Sequence, residues 1–145
     1  MPIVNYDNDV YAKHKHEVPA GTLPAKEFEM IETIAREYLA KKLIAGQSLI
    51  YDDLGLQKED PEHIRQLASE NGANYVLVFV DTPIEVIEER RSLNHQTNGR
   101  EHIDSEKLHL DISLLEKPQP DEPAIVVTPS TSIEHIVAEI HSRRN

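Results

Sequence analysis

Residues 72–91 read GANYVLVFVDTPIEVIEERR, and no other segment restricts the fold as much. Tyr75–Val80 is a continuous apolar run rich in valine, the pattern of a strand covered on both faces of a parallel sheet. Thr82 stands three residues before Glu85, a capping-box spacing, and Pro83 falls at the first helical position, where its missing N–H costs nothing. The helix then ends on Arg90 and Arg91. Cations there suit the helix dipole, and they could equally reach a phosphate. A strand feeding a capped helix through a tight turn is half of an α/β crossover.

The remaining elements alternate in the same way. Pro2–Tyr6 is a short strand that opens into Asp7-Asn8-Asp9, and residues 13–24, broken by Pro19, Gly21 and Pro24, read as a loop. From Ala25 to Leu43 the positions Phe28, Ile31, Ala35, Tyr38 and Leu39 recur at helical spacing, and Gly46 supplies the stop. Ser48–Tyr51 is a second strand, ending in Asp52-Asp53. Asp60-Pro61 opens a helix with Ile64, Leu67 and Ala68 inward, closed by Gly72. A long polar stretch, 92–122, precedes a fourth strand at Ala124–Thr128. Thr131 and Glu134 make a second capping box ahead of the stripe Ile133, Ile136, Val137 and Ile140. Strand–helix units in series predict a parallel α/β sheet with right-handed crossovers in one domain spanning 1–145.

Charge and composition exclude several functions. A net charge of −11 disfavours groove binding to DNA or RNA and adhesion to anionic membranes, since both need a positive footprint. It leaves room for a small anion held by local arginines. With no cysteine there is no disulfide framework and no thiolate metal site. No apolar run reaches membrane-spanning length and no signal-peptide core stands at the N-terminus, so a cytoplasmic location is expected.

In open parallel sheets ligands bind beyond the carboxyl ends of the strands. Three of the four strands here end in polar residues: Asp7 and Asp9, Asp52 and Asp53, Asp81 and Thr82. Such carboxylates hold a divalent cation through its waters, act as a base toward a hydroxyl, or simply cap turns.

These residues resemble the small P-loop kinases grouped with zeta toxins, chloramphenicol phosphotransferase and the kinase half of polynucleotide kinase. The likeness runs through nearly the whole chain. Ile50–Leu56 looks like that family's "I-x-D-D-x-x-L", Val76–Arg90 like its "hhhhDTPxEhhxxR", and Leu115–Glu122 like its "hExPxxxE". The resemblance implies a three-layer parallel sheet and an ATP-dependent phosphotransferase acting on a small-molecule or nucleotide acceptor. It gives Asp7, with Asp9 as the alternative, the task of positioning or deprotonating the acceptor hydroxyl. It gives Asp52 and Asp53 a Mg²⁺ ion, and Arg90, Arg91 and Arg100 the ATP phosphates, within a lid at about residues 90–122.

One part of the family pattern is missing. Such kinases begin with a strand and G-x-x-x-x-G-K-[ST], whose N–H groups cradle the phosphates. None of the five glycines here begins that pattern. The chain opens at the counterpart of the family's second strand. By the resemblance it lacks the first, central strand, the phosphate loop and the first helix, and is a truncated or catalytically impaired form. The absent strand would lie between those at Ser48–Tyr51 and Tyr75–Val80. Its loss leaves ladders to be completed by direct pairing of those two or by a homo-oligomer.

Two other readings stand beside the kinase. A non-catalytic oligomeric interaction module fits the acidic surface and the incomplete pattern. Asp7-Asn8-Asp9-Val10 also resembles the DxD pair of haloacid-dehalogenase-like phosphatases, with Asp52-Asp53 as the later Mg²⁺ pair. The short stretch between those motifs leaves no space for the intermediate Ser/Thr and Lys strands of that chemistry. His14 and His16 read as solvated loop residues, His95, His102 and His109 as lid surface, and the Glu-rich segment Lys26–Glu37 as the solvated face of a helix.

Overall fold

The computed structural model describes residues 1–94 and 103–143. They form two compact units, Met1–Gly55 with Glu59–Tyr75, and Leu56–Lys58 with Val76–Asn145.

In the first unit β1 (Ile3–Asn5) and β2 (Ile50–Asp52) lie parallel, with Ile3 opposite Ile50, Val4 opposite Tyr51 and Asn5 opposite Asp52. The chain leaves β1 through a π-helical segment, Tyr6–Tyr11, followed by the single turns α1 (Ala12–His14) and Lys15–Glu17. Helical structure therefore fills the start of the stretch expected to be loop. Its local causes are specific. The Asn5 side chain caps the first turn by accepting from the Asn8 N–H at 2.9 Å, and Lys13 pairs with Asp9 one turn back.

The long helix α2 (Pro24–Ile44) starts with proline in its first turn. It stops at Gly46, whose φ of +71° only glycine adopts without strain. Its buried face is Ile31, Ala35 and Leu39, spaced four apart. Phe28, expected on that face, is more than half exposed and meets the Tyr6 ring at its rim, 6.4 Å between centroids. In α3 (Glu59–Glu70), Ile64, Leu67 and Ala68 face inward as their spacing predicts. Val4, Tyr6, Val10, Ile31, Ala35 and Leu39 make the core of this unit. Each large side chain among them contributes about 1.5–3 kcal/mol by leaving water.

In the second unit β3 (Leu77–Val80) and β4 (Ala124–Val127) are parallel, Leu77 opposite Ala124 through Val80 opposite Val127. The helices are α4 (Ile84–Asn94), α5 (Ser105–Leu114) and α6 (Ile133–Ser142). Pro83 stands one position earlier than expected: its carbonyl accepts from Val86 and Ile87, which makes it the cap. The cap of α6 is likewise displaced, from Thr131 to Ser132, whose side chain accepts from the His135 N–H. Thr131 turns back instead, its hydroxyl accepting from the Thr128 N–H at 2.9 Å. The polar stretch expected to be lid contains α5, started by Asp104, which accepts from the Lys107 N–H at 2.7 Å.

Ile125 and Val127, each 5% exposed, are the buried apolar residues among those described in this unit. Val80 is 66% exposed and the other residues of β3 are only partly buried, so β3 is not covered on both faces as its composition predicts. The strands form two two-stranded parallel sheets, β1-β2 and β3-β4, and the expected direct pairing of the two middle strands is not among the ladders. No helix among the described residues is long and apolar enough to cross a membrane.

Candidate functional site

Parallel pairing of β1 with β2 puts their carboxyl ends side by side, and Asn5 ties them together. Its Nδ2 donates to Asp52 Oδ2 at 2.9 Å and its backbone N–H donates to Asp9 Oδ2 at 3.0 Å. Asp9 also accepts from Lys13 Nζ at 2.8 Å. That bond, followed by the one from Asn5, holds the Asp9 carboxyl below the usual range. With both oxygens engaged, Asp9 is built as a clasp for the π-helical turn. Asp7 stands exposed on the same turn.

Asp53 is different. It accepts from the Leu54 N–H at 2.7 Å. Much of the residue faces solvent, yet its carboxyl sits low among protein atoms. That burial, helped by the negative charges of Asp60 and Asp7, raises its pKa. Glu32 comes from α2, one residue beyond buried Ile31, with its side chain 24% exposed. Burial first, and then the charge of Asp53, raises its pKa against the opposing Arg36, whose Nε is 4.0 Å from Glu32 Oε2. The Tyr6 ring is 8% exposed, and its hydroxyl is buried without a hydrogen-bond partner. Burial pushes the Tyr6 and Tyr51 phenols far above their ordinary range, and Glu32 and Asp53 push the same way.

Of the residues expected from sequence, Asp7, Asp9, Asp52 and Asp53 therefore gather at the end of one sheet. Sequence reasoning missed Tyr6, Tyr51 and Glu32. Glu32 belongs to the segment read as a solvated helix face and is instead half-buried. The signal was available: positions 31, 32, 35 and 39 fall on neighbouring sides of one helix. Two shallow hollows, about 280 and 210 Å³, open beside α2 and are lined by residues such as Glu17, Ile34 and Tyr38. Neither contains an aspartate.

In the second unit Asp81, at the end of β3, is tied to Lys117 at 2.7 Å. Lys58 pairs with Glu122, and its N–H donates to Glu116 at 2.8 Å, so the acidic pair of 115–122 fastens the 56–58 segment. Arg90 is exposed near the end of α4. Arg91 is half-buried, and its Nε is buried without a partner, a donor that an anion would satisfy. Arg100 lies outside the described residues.

The donor set fits a nucleotide only in part. Gly21, Gly46, Gly55 and Gly72 all have positive φ. Gly46 and Gly72 follow helices and none of the four opens one, so no phosphate-cradling loop stands among the described residues. No group of three His, Asp or Glu side chains among them is arranged to cage a metal. Asp52 and Asp53 remain available to a cation that keeps most of its waters.

No protein-family model matches this sequence, and no curated protein matches it. Solved structures do. A gluconokinase from Sinorhizobium meliloti 1021 superposes with a TM-score of 0.59 at 18% identity, covering 95% of this chain and 73% of that one. A sugar kinase from Janibacter sp. HTCC2649, in an unliganded structure, gives 0.64 at 18% identity over 99% of this chain and 79% of that one. The chain shares the mixed α/β fold of these kinases.

Proposed function

We propose that this chain is the acceptor-binding and lid portion of a P-loop-type phosphotransferase for a small molecule, and that it is catalytically impaired by itself. The observation that carries the reading is a kinase-like fold over almost the whole chain combined with carboxylates gathered at the ends of β1 and β2. In this reading Asp7 accepts a hydrogen bond from the acceptor hydroxyl, since it is the exposed aspartate of its turn while Asp9 is already clasped. Asp52 and Asp53 orient a hydrated Mg²⁺, and Arg90, Arg91 and Arg100 take phosphate oxygens. ATP would supply the phosphoryl group when bound. The sequence offers no Gly-rich Lys-Ser/Thr loop to grip its phosphates, which supports the reading of an impaired form. A cytoplasmic location belongs to the same proposal.

The test is acceptor binding and transfer measured separately. The chain binds a polyol detectably, Asp7→Asn weakens that binding, and ³¹P NMR with Mg-ATP finds no product above background. Turnover at the 1–100 per second or so typical of kinases would contradict the impairment. Polyol binding indifferent to Asp7→Asn would contradict the acceptor role.

A second reading has its own support. Ile3, Ile50, Val80 and Val126 are strand residues left largely exposed, and a two-stranded sheet keeps an open edge on each strand. An oligomeric interaction module would cover them. Sedimentation across a range of concentrations, run beside the polyol titration, separates the two: association without polyol binding is expected of the module, and polyol binding lost in Asp7→Asn of the acceptor unit. The phosphatase reading gains nothing from the fold comparison.

A further inference from the structure

Helix α2 carries a second stripe beside its core face. Met30, Thr33, Ile34, Glu37, Tyr38 and Lys41 recur three and four apart, so they share one side of the helix. His14, Glu17 and Val18, from the turns that follow α1, supply the opposite wall. The two hollows beside α2 lie in this channel, and both contain Glu17 and Ile34 in their lining, so they adjoin. Both open to solvent, and a ligand can reach them without any movement of the core.

The two ends of the channel differ in chemistry. At the 280 Å³ end Val18 and Ile34 pack against the core of the unit, and Met30 stands half-buried beside them. The 210 Å³ end is charged. His14 and Glu17 satisfy each other there, Nδ1 to Oε1 at 2.7 Å. Glu37 and Lys41 do not. They are exposed and one turn apart with the glutamate first, the order in which such pairs join most readily. Among the described residues neither takes part in an ion pair or a side-chain hydrogen bond. Every other lysine of this unit is engaged: Lys13 with Asp9, Lys26 with Glu29, and Lys15 and Lys42 over the rings of Tyr11 and Tyr38. The other glutamates of α2 are engaged as well, Glu27 by Tyr11, Glu29 by Lys26 and Glu32 by Arg36. An available carboxylate and an available ammonium thus stand side by side at the rim of an apolar hollow.

We infer that this channel is a binding site for a free α-amino acid with an apolar side chain. Such a ligand carries its ammonium and carboxylate on one carbon, matching Glu37 and Lys41 on one helical turn. Its side chain lies over Ile34 and enters the hollow between Val18 and Met30. A zwitterion answers both charges at once, whereas a simple amine or a simple acid answers one and leaves the other facing it unpaired. Together the two hollows fall within the about 300–1,000 Å³ of small-ligand sites. Because the charged end is open to water, the ion pairs give selectivity more than strength, and a Kd on the order of 1 mM is expected. The site shares no residue with the aspartates at the ends of β1 and β2, and the inference does not rest on the phosphotransferase reading.

The experiment is an amide NMR titration of the isotopically labelled chain at pH 7 with four probes. They are L-leucine, 3-methylbutylamine, which lacks its carboxylate, 4-methylpentanoate, which lacks its ammonium, and L-alanine, which lacks its branched side chain. Leucine should shift His14–Val18 and Met30–Lys41 and saturate. The amine and the acid should each bind about twofold to fivefold more weakly, the worth of one exposed charge pair. Alanine should bind roughly tenfold more weakly for want of apolar surface to bury. Glu37→Gln should weaken leucine and the amine and leave the acid unchanged, and Lys41→Met should weaken leucine and the acid and leave the amine unchanged. Both positions are exposed, so circular dichroism should stay native in each variant. Met30→Gln should weaken leucine and leave alanine unchanged. Leucine shifts that do not saturate or fall outside the channel would overturn the inference. So would an analogue or alanine binding as tightly as leucine, or parental leucine affinity in either charge variant.

Discussion

Asn5 and Asp52 are register partners across the β1–β2 ladder, and the Asn5 amide donates to the Asp52 carboxylate at 2.9 Å. The same side chain caps the helical turn that follows β1, and the same residue's N–H clasps Asp9. One asparagine thus holds two aspartates of the candidate site, Asp9 and Asp52, and caps the turn that carries Asp7. Asn5→Ala removes the cap and the cross-strand bond together. Urea unfolding should show a loss of about 1–2 kcal/mol, and polyol binding should weaken because Asp7 and Asp52 are no longer held in register.

Tyr6→Phe tests the unpartnered hydroxyl in the free protein. Removing a buried group that has no partner takes away a desolvation cost without breaking a bond. The variant should be as stable as the parent or up to about 1 kcal/mol more stable, read from the urea midpoint at constant slope. A clear loss of stability would mean that the phenol has a partner after all.

The pH dependence follows from the raised carboxyls. Glu32 and Asp53 hold protons more tightly folded than unfolded, so the native state binds more protons between the ordinary carboxylate range and their raised folded values. Stability contributed by these groups therefore falls as pH rises through that window and is fully present below it. Glu32→Gln and Asp53→Asn should each flatten this slope and raise the neutral-pH denaturation midpoint. Asp9, whose pKa is lowered by Lys13 and Asn5, works in the opposite sense: its contribution is present above the ordinary range and lost on acidification. Asp9→Asn should remove the part of the stability lost on acidification below the ordinary carboxylate range and leave the fall at higher pH unchanged.

Ile31 is fully buried at the centre of the first unit. Ile31→Ala should cost about 2–5 kcal/mol. Fluorescence of tyrosines in that unit would report the loss, while the second unit, whose buried residues are Ile125 and Val127, should keep its own transition if the units unfold separately.

Much of the fold was legible because the signals are local. Continuous apolar runs gave all four strands, and the four-residue spacing of Ile31, Ala35 and Leu39 gave the face of α2. Helix α5 was hidden by the polarity of its surroundings, although Asp104 as cap and Leu108, Ile112 and Leu115 at helical spacing were there to read. The caps of α4 and α6 were each displaced by one residue, because a capping-box spacing cannot say which of two adjacent polar or proline residues closes the turn. At the site, strand-end aspartates were legible from position alone. Tyr6, Tyr51 and Glu32 were not, since a tyrosine in a strand and a glutamate in a helix become chemical only once register and burial bring them to the same carboxyls.

The most direct measurement of the central claim, that the ends of β1 and β2 hold the acceptor, is an amide NMR titration of the isotopically labelled chain with a polyol such as sorbitol. The account predicts shifts concentrated at Tyr6–Asp9 and Tyr51–Leu54, with a smaller set around Glu32. Shifts confined to the hollow beside His14, Ile34 and Tyr38, or to the second unit, would contradict it.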